Sequence, residues 1–145
     1  MNGFLLDVNL LIALLWPPHE AHARAQRWFA HNARQGWATC AMTQAGFVRI
    51  VSNPAFSRHA VSPRDAAEVL SGSLQHPAHR FWIEDLEVTE ALAQFGERIL
   101  GHQQVTDAYL LGLAIHKKGR LATLDASLSS LLPEQSTART RLVLL

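Results

Sequence analysis

The sequence predicts an α/β fold, a three-layer α/β/α arrangement in which helices cover both faces of a mostly parallel central sheet. Three observations carry the layering. Short apolar runs alternate with helical patterns along the 145 residues. No two of these runs are joined by a hairpin signal, so neighbouring strands need crossover connections and run parallel. Two runs end directly in an aspartate, at the carboxyl edge where a parallel sheet presents its ligands. The length suits a single domain over residues 1–145.

Phe4-Leu5-Leu6 reads as a buried strand closed by Asp7. Residues 9–16 are apolar with little alternation, as expected of a helix lying on a sheet, and Pro17-Pro18 stops it. Residues 20–34 show a helical period, with Ala21, Ala25, Trp28 and Phe29 on one face and Arg24, Arg27 and Arg34 toward solvent. Gly36 ends that stretch, and residues 37–41 suit a second strand. Thr43 is expected to cap a helix over 44–51 that Asn53-Pro54 closes. Ser62-Pro63 is the clearest helix start: a capping hydroxyl, proline at the first position, and Asp65 and Glu68 near the positive end of the dipole. Val69 and Leu70 begin its apolar face. Phe81-Trp82-Ile83 is a candidate strand, and Thr89 opens a helix with Leu92, Phe95 and Ile99 on one side. Thr106-Asp107 opens the most apolar helix, residues 108–116, finished by Lys117-Lys118-Gly119. Residues 121–124 form a strand ending at Asp125, and residues 142–145 form the last one.

Composition removes several classes. Hydrophobic residues at 48% and charged residues at 17% exclude disorder. The single Cys40 excludes a disulfide framework and a multi-cysteine zinc site, and reads as an inert buried thiol. A net charge of +1 leaves any nucleic-acid contact to a local basic patch. Lys117, Lys118 and Arg120 are one candidate patch, with capping of the preceding helix as their other role. No run reaches the roughly 18 apolar residues of a membrane span, and the start lacks a basic leader, so a cytoplasmic location without membrane contact is expected. No glycine-rich phosphate loop follows the first strand, which disfavours dinucleotide-binding enzymes. His19-Glu20-Ala21-His22 falls one residue short of the metalloprotease spacing and reads as helix entry.

The chemistry concentrates in aspartates. Parallel strands place Asp7 and Asp125 on the same edge, and Asp107 at a helix start can face it. Three converging carboxylates repel one another, and a divalent cation relieves that repulsion. An all-oxygen donor set without cysteine points to Mg²⁺ or Mn²⁺ rather than structural zinc. Each aspartate also suits capping a helix N-terminus, worth about 0.5–2 kcal/mol, and the two roles are compatible.

Four blocks occur in order: Leu5-Leu6-Asp7-Val8-Asn9, Thr43-Gln44-Ala45-Gly46-Phe47-Val48-Arg49, Val105-Thr106-Asp107-Ala108-Tyr109-Leu110 and Leu121-Ala122-Thr123-Leu124-Asp125. Together they resemble the PIN-domain ribonucleases, specifically the VapC toxins of bacterial type II toxin–antitoxin systems. The resemblance implies a Mg²⁺-dependent endoribonuclease, with Mn²⁺ as substitute, that hydrolyses RNA through metal-activated water. It makes Asp7, Asp107 and Asp125 the acidic, metal-holding site, with Asn9 a polar neighbour and Thr123 beside the last acid. It also implies a cognate antitoxin protein and a homodimer. Many PIN nucleases carry glutamate where this chain has Gln44, which can orient a metal-bound water but brings no charge. The alternative reading is therefore a catalytically weakened PIN-like module that binds RNA or protein. Arg49 stands where it can contact phosphate or pair with a site acid. Glu84 and Asp85 are either a compensating carboxylate source or a solvated loop pair. A phosphotransferase using Asp7 as nucleophile is a further rival, weakened because Asn9 is a poor general acid.

Overall fold

Asp7 marks the first turn of the chain for a local reason. In the computed structural model, which describes residues 2–145, strand β1 (Phe4–Leu6) stops where the Asp7 carboxylate caps helix α1 (Val8–Leu15), Oδ1 accepting the Val8 N–H at 2.8 Å. Helix α2 (His22–Asn32) is shorter than the predicted 20–34, because residues 33–35 tighten into a 3₁₀ turn and Gly36 follows at φ 99°. Strand β2 (Trp37–Thr39) ends two residues before the predicted 41, and helix α3 (Ala41–Val51) starts three residues before the predicted 44. Thr43 still caps, but from inside the first turn, its Oγ1 accepting the Cys40 N–H at 3.0 Å.

Helix α4 (Pro63–Ser73) begins as expected, with Ser62 Oγ accepting the Asp65 N–H at 3.1 Å. Its buried face is Ala66 and Leu70; Val69, expected there, is 46% exposed. Strand β3 (His79–Phe81) lies two residues before the predicted 81–83. The Trp82 N–H closes the ladder on the Thr39 carbonyl at 2.8 Å, the indole then packs inward, and Ile83 is left exposed. Helices α5 (Val88–Ala93) and α6 (Val105–His116), strand β4 (Arg120–Thr123) and strand β5 (Leu142–Leu144) complete the chain, with 3₁₀ turns between them.

The strand order is β3-β2-β1-β4-β5, and every pairing is parallel. From β1 the chain builds outward to β2 and β3 on one side, then returns to place β4 on the other. The order therefore reverses between β1 and β4, and a crevice opens there at the carboxyl edge. The pleat turns Phe4, Leu6, Trp37 and Ala122 into one core with α1 to α4. It turns Leu5, Ala38 and Leu121 into a second core with α5 and α6. Among the described residues no helix is long and apolar enough to cross a membrane.

Candidate active site

The crevice between β1 and β4 is closed by a hydroxyl. Asp7 is 4% exposed, and both its carboxylate oxygens are engaged: Oδ1 by the Val8 N–H, Oδ2 by the Thr123 hydroxyl, which donates at 2.7 Å. The Asp7 N–H donates to the Ala122 carbonyl at 2.9 Å, extending the ladder to the edge. Thr123 Oγ1 accepts the Asp125 N–H at 3.0 Å, so one buried side chain ties the two strand-end acids together. Asn9 Oδ1 accepts the Leu124 N–H at 3.3 Å and holds the end of β4 against α1. Asp125 Oδ1 accepts the Ser127 N–H at 2.9 Å and caps the following turn. The capping roles expected of Asp7 and Asp125 are thus real, and they fix the carboxylates in place.

Asp107 comes from the first turn of α6. A helix N-terminus favours a carboxylate, yet the Asp107 pKa is pushed up to about 7, first by burial and then by the charges of Asp7 and Asp125. Asp7 is also raised, chiefly by burial, with the Thr123 and Val8 hydrogen bonds opposing and Asp125 adding to the rise. The three acids therefore occupy one electrostatic neighbourhood. A cavity of about 490 Å³ opens on it, lined among others by Asp7, Asn9, Arg49, Thr106 and Asp107. Asp125 acts on this cavity through its charge and does not line it. His19 and Phe56 also line it and were not foreseen as site residues. Besides its near-metalloprotease spacing with His22, His19 carries the helix-entry signal, and its Nδ1 accepts the Ala21 N–H at 3.0 Å; nothing in the sequence around Phe56 marks it.

Gln44 does not line this cavity. Its Nε2 donates to Thr39 Oγ1 at 2.9 Å, and that hydroxyl pairs with His79 Nε2 at 2.8 Å. Burial, with Arg80 and His76 nearby, holds the His79 imidazole below its ordinary pKa. Glu84 and Asp85 supply no compensating carboxylate. Glu84 Oε2 accepts the Met42 N–H at 2.7 Å and caps α3, while Asp85 pairs with Lys117 Nζ at 2.8 Å. Lys117 is accordingly an ion-pair partner at the end of α6 rather than a free steering charge.

Among the described residues no three His, Cys, Asp or Glu side chains form a ready-made cage for one ion. Mg²⁺ does not need one, since it keeps several waters and takes one or two carboxylates. The hard-oxygen donors and the mutual repulsion that lifts Asp107 fit such a cation.

A parallel sheet with acids at its switch point is the arrangement of a PIN domain, and the PIN-domain family model matches residues 4–131. The chain belongs to that family, in its VapC ribonuclease branch. It is 42% identical over 125 residues to Ribonuclease VapC39 of Mycobacterium tuberculosis, covering 86% of this chain and 90% of the relative. It is 44% identical over 127 residues to Ribonuclease VapC38 of the same organism, covering 88% of each. The fold is similar to the crystal structure of VapBC2 from Rickettsia felis bound to a DNA fragment from their promoter, with a TM-score of 0.62 at 14% identity over 98% of this chain and 96% of that one.

Proposed function

We propose that this chain is a metal-dependent endoribonuclease acting as the toxin of a toxin–antitoxin pair. The observation that carries the reading is a cavity where burial and the charges of Asp7 and Asp125 raise the pKa of Asp107, in a chain 42–44% identical to proteins named ribonucleases. Asp7, Asp107 and Asp125 would hold Mg²⁺, or Mn²⁺ in its place. When bound, the cation lowers the pKa of water and offsets charge on phosphoryl oxygens. The chain's own residues prepare for that. Thr123 and the Val8 N–H keep the Asp7 carboxylate oriented before any ligand arrives. Asn9 holds the Leu124 backbone so that Asp125 stays at the crevice. Asp107 retains a proton near neutrality and must release it for the site to reach full charge. Arg49, exposed on the cavity wall, offers a planar donor fork to a phosphate.

The non-catalytic alternative rested on the charge missing at Gln44. The Gln44 amide serves Thr39 and stands off the cavity wall, which supports the catalytic reading over the weakened one. The proposed partners are the RNA substrate, a cognate antitoxin placing a basic side chain in the cation's position, and a second copy of the chain; the similarity to VapBC2 supports the partner protein.

The test is internal cleavage of a labelled RNA in Mg²⁺, in Mn²⁺ and in EDTA. Cleavage is expected only with metal. Asp7→Asn, which keeps an N-capping side chain, is expected to lower it at least about 100-fold. Equal cleavage in EDTA, or by Asp7→Asn, overturns the proposal.

A further inference from the structure

A second cavity lies at the opposite, amino-terminal edge of the sheet. It measures about 540 Å³ and is lined among others by Arg34, Arg80, Phe81, Trp82 and Lys117, with no acidic residue on its wall. We propose that this basic hollow is an anchoring site for single-stranded RNA, separate from the site of scission; the inference rests on the ribonuclease reading for its choice of polyanion.

The charge is local. The chain as a whole carries only +1, yet three cations converge here from three different places: the 3₁₀ turn after α2, strand β3 and the end of α6. Lys117 is neutralised in part by Asp85. Arg34 and Arg80 have no ion-pair partner among the described residues. Arg80 is also set in place: its Nη1 donates to the carbonyls of Pro77 at 3.1 Å and His79 at 2.8 Å, leaving the rest of the guanidinium fork free. A guanidinium held in this way loses little freedom when it meets a phosphate.

An aromatic surface completes the site. Phe81 is 52% exposed although it is a large apolar side chain at the end of an edge strand. An exposed aromatic ring in the same hollow as a fixed guanidinium suits a base stacked on the ring with its phosphate on the guanidinium. The same combination explains why the exposed β3 edge tolerates Phe81, since Arg80 beside it discourages pairing with another strand. Strands of three or four residues span only about 10–13 Å at 3.3 Å per residue. The basic hollow and the acidic crevice therefore lie on opposite edges of a sheet only that deep.

The experiment measures binding of a fluorescein-labelled single-stranded RNA of about 20 nucleotides in EDTA, by anisotropy across a range of salt concentrations. Arg34→Ala/Arg80→Ala is expected to bind more weakly and to reduce the slope of log K against log salt by about 1.4, the value for two phosphate contacts on a single strand. Phe81→Ala is expected to weaken binding about tenfold with the slope unchanged. The charge-reversed Arg34→Glu serves as a second variant, and circular dichroism confirms that each is folded. Wild-type affinity and slope in the variants, or a changed sedimentation coefficient with RNA binding intact, overturns the inference, the latter by assigning the hollow to a protein contact. Metal-dependent cleavage by the wild type is scored separately, so that loss of the nuclease reading and loss of the anchor are told apart.

Discussion

At the residue scale the acids and the one hydroxyl between them set both stability and chemistry. Asp107 has a folded-state pKa of about 7 against 3.8 for the ordinary carboxyl. The folded chain therefore binds the proton more tightly than the unfolded chain does. The associated stability is complete below pH 3.8 and is lost as pH rises through about 7. In EDTA the melting temperature is expected to fall between pH 5 and pH 8. Asp107→Asn is expected to flatten that fall and to melt above the wild type at pH 8. A wild type that melts equally at both pH values contradicts the repulsion argued for the crevice. Thr123→Val removes the donor to Asp7 Oδ2 and the acceptor for the Asp125 N–H in one substitution. Each buried group left unpaired costs about 1–3 kcal/mol. Thermal unfolding of this variant is expected several degrees below the wild type, and an unchanged midpoint refutes the bridging role.

Whole elements are held together by contacts that only small residues permit. A Cβ added at Gly46 meets the Val8 methyl groups at 2.9 and 3.2 Å, so α3 presses on α1 immediately after the Asp7 cap. Gly46→Ala is expected to cost about 1–3 kcal/mol by overpacking and to depress cleavage by displacing Val8. Denaturant titration and RNA cleavage check the two effects, and unchanged values in both contradict the packing account. The same scale shows what the sequence could reveal. Asp7, Asp107 and Asp125 were legible because each stands where an apolar run changes period, a signal that survives folding. The edges of β2 and β3 were not. Cys40 is apolar and extends the look of a strand, but it occupies a cap position that Thr43 satisfies from three residues on. Trp82 and Ile83 look like strand and lie beyond it, while the polar His79 and Arg80 pair with β2 because an edge strand needs no apolar alternation. Gln44 was placed in the acidic site by its block, and only the geometry ties its amide to Thr39 and His79.

For the whole molecule, topology makes the site. Reversal of strand order between β1 and β4 brings acids more than a hundred positions apart to one crevice, and α6 delivers the third across it. If the three act as one unit, their contributions are not additive. The most direct measurement is the rate of Mg²⁺-dependent RNA cleavage by Asp7→Asn, Asp107→Asn, Asp125→Asn and the triple variant, each shown to be folded. The account predicts that every single variant loses most of the wild-type rate and that the triple variant is little worse than any of them. A single variant cleaving at the wild-type rate, or losses that multiply as for independent groups, would contradict it.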